Sequence, residues 1–298
     1  MMPTTPHQLC PICASHSFHP FLECEDQLVS HKKFLLQKCT TCNLLITTPQ
    51  PLVSEIGEYY LSENYISHTD GKRNLFDVLY KFVRGQMLKK KRTLIQKCST
   101  GRKILDFGCG TGEFINEMKT HGWIVSGVEP SPVARQRAEE KKLEIAESLD
   151  SLKENSFDVI SLWHVLEHLH NPNEYLEKFH QLLKQNGTLV VAVPNPESYD
   201  ASVYKDHWAA YDVPRHLWHF SHSNMKRILD QNGFQLLLTT PMVYDSYYVS
   251  LLSESYLHPN RIKILQAAKA FFNGMISNLR AKKSTNYSSL IYIAKRCD

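Results

Sequence analysis

Lys103-Ile-Leu-Asp-Phe-Gly-Cys-Gly-Thr-Gly-Glu113 is the stretch that decides the fold. Ile104, Leu105 and Phe107 form an apolar run of strand length. Asp106 lies within that run, and Gly108-Cys109-Gly110-Thr111-Gly112 follows it. Phe114, Ile115 and Met118 then recur at helical spacing. Strand, glycine turn and helix together present free backbone N–H groups and a helix N-terminus to a ligand. Glycine suits such a turn because ligand atoms approach where a Cβ would stand. The spacing is D-x-G-x-G-x-G, not the G-x-G-x-x-G of dinucleotide sites. A second acid, Glu129, closes the next apolar run, Trp123 to Val128. It lies about twenty residues on, where a carboxylate can accept both hydroxyls of a ribose.

This arrangement resembles the class I S-adenosylmethionine (SAM) methyltransferases. The resemblance implies an α/β, Rossmann-like sheet of seven strands with helices on both faces and the last strand inserted antiparallel. It also implies that Asp106, Gly108, Cys109, Gly110, Gly112 and Glu129 bind the cofactor. Pro130-Ser131-Pro132 opens a helix, and Leu143 to Ala146 reads as a third short strand. The loop after it flanks adenine in the family, which points to Ser148 or Leu149.

Phe157 to Leu162 reads as a buried strand, and Trp163-His-Val-Leu-Glu-His168 follows it. That hexapeptide resembles the segment after the fourth strand in a large bacterial methyltransferase family. The resemblance sets Trp163 or His164 near the methionine end of SAM, where an aromatic face favours a sulfonium. Glu167 and His168 could serve as acid or base, but the favoured reading is that they orient the loop by hydrogen bonds. Asn171-Pro172 opens a helix expected to reach Lys184 and to close at Asn186-Gly187. Thr188 to Val193 is the fifth strand.

Glu197 to Phe220, following that strand, is rich in chemistry: His207, Arg215, His216 and His219, with Tyr204, Trp208, Tyr211 and Trp218. Its position lets it roof a site at the sheet edge. Asp212-Val-Pro-Arg-His-Leu-Trp-His-Phe220 resembles a signature of the same bacterial family. Histidine takes a proton near neutral pH, which makes His216 the leading base, with His164 and His168 behind it. Arg215 suits bidentate binding of an acidic substrate group, or a pairing with Asp212. Beyond the roof, Phe234 to Thr240 reads as a sixth strand and Ser289 to Ala294 as the last. Tyr244 to about Ser284 reads as a long helical insertion, packed on the core or serving as a lid. A dimer contact or a membrane-surface helix would also suit it.

Ahead of the core stand two C-x-x-C knuckles, Cys10/Cys13 and Cys39/Cys42. Four thiolates from two tight turns suit structural Zn²⁺, and so small a module needs a metal to fold. The knuckles, Pro49-Gln-Pro51 and the paired tyrosines resemble a zinc-binding segment ahead of some bacterial small-molecule methyltransferases. Cys24 reads as a spectator. His7, His16 and His19 are spare donors, and Tyr59, Tyr60 and Tyr65 either line a cleft or pack the module on the core. The expected organisation is a four-cysteine zinc module over 1–50, a basic helical bridge over 51–102, and a methyltransferase core over 103–298. That core carries the roof at 197–220 and the helical insertion at 244–284.

The 298 residues are 42% hydrophobic and 21% charged, ordinary for a globular protein. A net charge of +4 does not demand nucleic acid. No apolar run has membrane-spanning length, and the N-terminus lacks a signal-peptide pattern. Eight cysteines without a disulfide framework fit the cytoplasm. The expected activity is methyl transfer to an oxygen or carbon of a small-molecule acceptor, with self-association left open. The alternatives are an RNA methyltransferase that uses the zinc module as a reader, and a non-catalytic SAM-binding regulator. Against RNA, the fifth strand ends Val-Pro-Asn-Pro-Glu, and the zinc segment is neither strongly basic nor rich in aromatics.

Overall fold

The computed structural model describes residues 9–60 and 75–298. His7 and Tyr65 lie outside the described residues, as do the side chains of 75–82. Helix α1 (Leu75–Cys98) is one continuous element. It leads into β4 (Lys103–Phe107), the glycine turn and α2 (Glu113–Thr120). The α2 residues Phe114, Ile115 and Met118 are all buried against the sheet. Next come β5 (Ile124–Val128) and α3 (Pro132–Glu139), which starts on Ser131 with Pro132 in its first turn.

Seven strands form the main sheet, in the order β10-β11-β8-β7-β4-β5-β6. Here β6 is only Ile145–Ala146, shorter than the four residues expected. The others are β7 (Phe157–Trp163), β8 (Leu183–Pro194), β10 (Phe234–Pro241) and β11 (Ser289–Arg296). Strands β4, β5, β6, β7 and β8 pair in parallel. β11 enters antiparallel between β8 and β10, as the resemblance implied. Leu189 to Val193 are buried on both faces, the mark of a covered parallel sheet. The chain runs from β4 outward to β5 and β6, then crosses back to β7 on the other side of β4. That reversal opens a crevice at the carboxyl ends of β4 and β7, where α/β sheets bind ligands.

Helix α4 (Pro172–Leu182) stops two residues earlier than expected. Leu183 already pairs with Phe157, and the ladder resumes with Thr188 opposite Val159. Asn186-Gly187 therefore turns inside an irregular strand entry and does not cap a helix. Helix α6 (His222–Gln231) precedes β10, and the insertion after β10 is two helices, α7 (Asp245–Leu257) and α8 (Lys263–Ser284). Ala270, Gly274, Ser277 and Ala281 form the buried small-residue stripe of α8. Ser246 donates to the Gly274 carbonyl at 3.2 Å across that stripe.

The N-terminal segment builds a second, antiparallel sheet of β1 (Phe18–Glu25), β2 (Lys33–Cys39) and β3 (Leu45–Thr48). Its fourth strand is β9 (Trp218–His219), supplied by the roof, with Leu45 opposite His219 and Ile46 opposite Trp218. The apolar cluster around Cys10, Ile12, Leu44 and Ile46 runs without a break into Leu105, Phe107 and Leu162 of the main sheet. Module and roof are thus one packed unit laid on the core, although the sequence divides them into separate segments. Two buried carboxylates tie the unit together. Asp200, in α5 (Tyr199–Tyr204), accepts from Trp208 Nε1 at 2.8 Å and from Ser277 and Ser288 at 2.6 Å each. Asp26 accepts from the Leu28, Val29 and Ser30 N–H groups and from the Ser30 hydroxyl. It takes Arg215 as well.

Candidate active site

The glycine turn leaves β4 with positive φ at Gly108 (70°), Gly110 (55°) and Gly112 (77°), which side chains resist. A Cβ at Gly108 would strike Val165 at 2.6 Å. One at Gly110 would meet nothing within 4 Å, so the backbone there faces open space. Glu129 reaches this point from the end of β5. It accepts from Gly110 N–H at 2.8 Å and from Ser131 N–H at 2.9 Å. Cys109 offers the groove no thiol. Its Sγ is packed beneath the loop against Gly127, and burial pushes the thiol pKa well up. As a cofactor ligand by side chain, Cys109 is withdrawn.

Asp106 lies under the turn, 3% exposed, and accepts from Ser161 Oγ at 2.6 Å. Burial pushes its carboxyl up to about 7, with Ser161 and Lys91 opposing. The Lys91 Nζ stands 4.2 Å from the Trp163 ring centroid, and Phe114 meets that ring edge-on at 5.2 Å. Burial pulls Lys91 down to about 8, against the pull of Asp106 and Asp245. An aromatic face at Trp163 thus already carries a cation in this structure. The Trp163 Nε1 is buried with no hydrogen-bond partner. Open space above Gly110, a ready Glu129 carboxylate and this orphaned donor fit a cofactor such as SAM. Beyond β6, Leu149 is buried in the core cluster, while Ser148 is exposed and donates to Asp150 at 3.0 Å.

His164 follows Trp163 with a φ of 59°, an uncommon backbone state for a side chain of its size. Its Nε2 lies 3.0 Å from Asp245 Oδ2 and its Nδ1 3.4 Å from Glu167 Oε1. Burial disfavours the imidazolium, but these two carboxylates outweigh it and raise the pKa to about 9. The two carboxylates thus favour the protonated form of His164. Burial pushes His168 the other way, down to about 4, with His216 adding to the effect. The His168 and His216 rings meet edge-on at 4.5 Å. Glu167 is 1% exposed, and its side chain lies between the three histidines.

The roof holds the surprises. Arg215 is 1% exposed, and its guanidinium is taken up by partners within the protein. Its Nε and Nη2 donate to Asp212 at 2.9 and 2.6 Å, Nη2 also to Asp26 at 2.9 Å, and Nη1 to the Tyr59 carbonyl at 3.0 Å. The Asp212 pairing is present, and substrate binding by this guanidinium is withdrawn. His219 is locked too. Thr47 donates its hydroxyl to the His216 carbonyl at 2.6 Å, so it can only accept from His219 Nε2, 3.0 Å away. Trp218 donates to the Leu169 carbonyl at 2.7 Å. His216 alone among these roof residues turns a ring toward Glu167 and His168.

Asp245, Lys91, Ser161 and Tyr60 also belong to the site. The Tyr60 hydroxyl lies 3.0 Å from His168 Nδ1. Sequence reasoning left Tyr60 between lining a cleft and packing the module on the core, and passed over Asp245, Lys91 and Ser161. The only available signals were Asp245 at the start of a helix and Ser161 two residues before Trp163. A cavity of about 300 Å³ opens between α1 and the β10–α7 connection. It is lined by Met87, Lys90, Leu94, Met242 and Tyr244, and it reaches Lys91 and Asp245.

In the N-terminal module, the Cys10 and Cys42 sulfurs are 3.3 Å apart and those of Cys13 and Cys39 3.5 Å. All four lie within 4.8 Å of one another. These are reduced thiols converging on one point, a donor set that suits tetrahedral Zn²⁺.

The profile of the methyltransferase-domain family matches residues 79–239. A ubiquinone biosynthesis O-methyltransferase of Glaesserella parasuis serovar 5 is 36% identical over 109 residues, 32% of this chain and 46% of that protein. The mitochondrial ubiquinone biosynthesis O-methyltransferase of Rattus norvegicus is 27% identical over 192 residues, 57% of this chain and 55% of that protein. The chain spans about half the length of these curated relatives. Among solved structures, a candidate sarcosine dimethylglycine methyltransferase from Galdieria sulphuraria is similar in fold. It has a TM-score of 0.50 at 14% identity, covering 73% of this chain and 86% of that one.

Proposed function

The chain belongs to the class I SAM-dependent methyltransferases, and from that membership we propose that it moves the SAM methyl group to an oxygen or carbon of a small-molecule acceptor. One observation carries the proposal: Trp163 and His164 are chain neighbours at the end of β7. The first, with Lys91 over its ring, is one of the residues assigned here to the cofactor, and the second enters the histidine–carboxylate cluster. Cofactor and proton-handling groups therefore meet at one strand end.

SAM, when bound, supplies a methyl carbon already activated by a sulfonium. The residues that would hold it are the Gly108–Gly112 backbone, Asp106, Glu129 and Trp163, with Ser148 and Leu149 at the far end. The protein's own task is alignment, exclusion of water and removal of one proton. His168 is neutral at pH 7, because burial pushes it down to about 4. Its Nδ1 points at the Arg215 carbonyl, 3.0 Å away, which can only accept. The Tyr60 hydroxyl, 3.0 Å from the same nitrogen, can donate or accept, so either ring nitrogen of His168 can hold the hydrogen. His216 Nδ1 donates to the Ala210 carbonyl at 2.9 Å. His164, in its favoured protonated form, orients Glu167 beneath them. The 300 Å³ cavity is in the size range of small-molecule sites.

The curated relatives are named as O-methyltransferases of ubiquinone biosynthesis, which supports a small-molecule acceptor over RNA. The proposal extends to Zn²⁺ held by Cys10, Cys13, Cys39 and Cys42 as a structural ion. It also extends to a cytoplasmic setting, consistent with the eight unpaired cysteines. Among the described residues no helix is long and apolar enough to cross a membrane.

The test is acceptor tracking. Purified protein is incubated with methyl-labelled SAM and, separately, a small-metabolite extract and total RNA of its host. The proposal expects label in a metabolite fraction. Label in RNA alone would overturn it.

A further inference from the structure

Helix α8 is built inside out. Its buried stripe is small and polar: Gln266, Ala270, Gly274, Ser277 and Ala281. That stripe lets α7 approach closely, and a Cβ at Gly274 would strike the Tyr247 ring at 2.9 Å. The large apolar side chains stand on the opposite face. Ile264, Leu265, Phe271, Phe272 and Leu279 are each at least 53% exposed. They repeat at seven- and eight-residue spacing, so they share one side of the helix. The strip they form is about 22 Å long, at 1.5 Å per residue. Ile262, Tyr248 and Leu251 add exposed apolar area to the same two-helix insertion. A helix on a globular core normally carries the reverse pattern, and an apolar face turned outward marks an interaction site.

The charges say what the face meets. From His258 to Ser284 there is no Asp or Glu. The charged residues there are Arg261, Lys263, Lys269, Arg280, Lys282 and Lys283. Arg261 and Lys269 reach back to the buried Glu254 of α7, at 3.4 and 3.3 Å. Arg280 lies over the Tyr199 ring at 4.1 Å. Lys263 stands at the head of the apolar strip, and Lys282 and Lys283 stand at its foot, all three exposed. Asp245, the other acid of α7, is buried against His164. The insertion therefore shows solvent an apolar face with cations at both ends and no exposed carboxylate.

A second copy of the chain suits this face poorly. Antiparallel pairing of two α8 helices lays Lys282 and Lys283 on the second copy's Lys263, and parallel pairing lays each lysine on its own counterpart. Neither supplies a carboxylate, and facing like charges is costly. An anionic bilayer meets both demands, with acyl chains for the apolar side chains and phosphates for the lysines.

We propose that the outer face of α8 lies in the surface of an anionic phospholipid membrane, its axis in the membrane plane and Lys263, Lys282 and Lys283 on the headgroups. The contact is peripheral and reversible. Phe271 meets the Tyr247 ring at 5.4 Å, and Tyr244, one turn earlier, lines the 300 Å³ cavity. Docking therefore brings that cavity close to the lipid surface.

The test is flotation of the full chain with vesicles of phosphatidylcholine alone and of phosphatidylcholine mixed with phosphatidylglycerol. The proposal expects binding to the mixed vesicles, binding at least about 10-fold weaker to the neutral ones, and release as salt is raised. Lys282→Gln with Lys283→Gln should weaken binding about 30-fold. Phe271→Ser with Phe272→Ser should abolish it. All four side chains are exposed, and thermal unfolding checks that the fold is kept. Phe272→Trp adds an indole whose emission, taken against the wild type, should shift to the blue on mixed vesicles. No binding to mixed vesicles, binding that both double variants retain, or an unshifted emission would overturn the proposal. So would a dimer in sedimentation that Phe271→Ser with Phe272→Ser converts to monomer, because the face would then belong to a second copy.

Discussion

Arg215→Ala should lower unfolding stability by about 3–5 kcal/mol, the usual cost of breaking a buried ion pair from one side. The side chain is 1% exposed and Asp26 is fully buried, so solvent screens neither charge. Arg215 joins three segments distant in sequence: the Asp26 turn, the Tyr59 carbonyl and the roof at Asp212. Removing it strips Asp26 of its only ion-pair partner among the described residues. Asp26 keeps its turn bonds from Leu28, Val29 and Ser30, so the loss falls on docking between module and roof. Arg215→Lys should recover part of the loss, because it restores the charge but not the planar fork. Urea denaturation of the three proteins measures this. A loss under about 1 kcal/mol, typical of exposed pairs, would show that Arg215 is not a lock.

The second large effect belongs to His168→Gln, which should slow methyl transfer by about 10²- to 10⁴-fold, the usual share of a positioned acid–base group. SAM affinity should stay at the wild-type level, because His168 is not among the residues proposed to hold SAM. His219→Gln is the control. Its ring nitrogen serves Thr47 inside the module–roof sheet. It should reduce stability and leave the rate per folded molecule unchanged. Single-turnover transfer with labelled SAM, combined with binding calorimetry, distinguishes the two variants. Equal rate losses in both would mean that the roof acts as a whole and that His168 has no special role.

These two residues show where sequence is a good guide and where it is not. Local chemistry was legible. The glycine turn, the acid at its head and Glu129 sit within one strand–turn–helix–strand unit, so spacing alone locates them. Strand β11 was legible as an apolar run, and its antiparallel insertion came from the family resemblance. Arg215 was misread because its partner Asp26 is 189 positions away, and no local pattern announces so distant a pair. His219 was ambiguous for the same reason, its partner Thr47 lying in another segment. Asp245 escaped notice because a lone acid at a helix start usually serves the helix; here it holds His164. Lys91 looked like one of many solvated lysines on a basic helix. Arg84 and Arg92 of that helix do pair with Glu113 and Glu117 on α2, whereas Lys91 turns inward to Trp163. The strand pairing of Trp218–His219 with β3 was invisible because two residues carry no periodicity.

The central claim is that the edge formed by Gly108–Gly112 and Glu129 is a SAM site feeding the histidine cluster. Its most direct test is calorimetric SAM binding to the wild type and to Glu129→Ala, with thermal unfolding as a check on the fold. Hydrogen bonds to a charged group are worth about 1.5–3 kcal/mol, so the variant should bind roughly 10- to 100-fold more weakly. Equal affinity in the two proteins, both folded, would mean that the cofactor lies elsewhere and that the account of this edge is wrong.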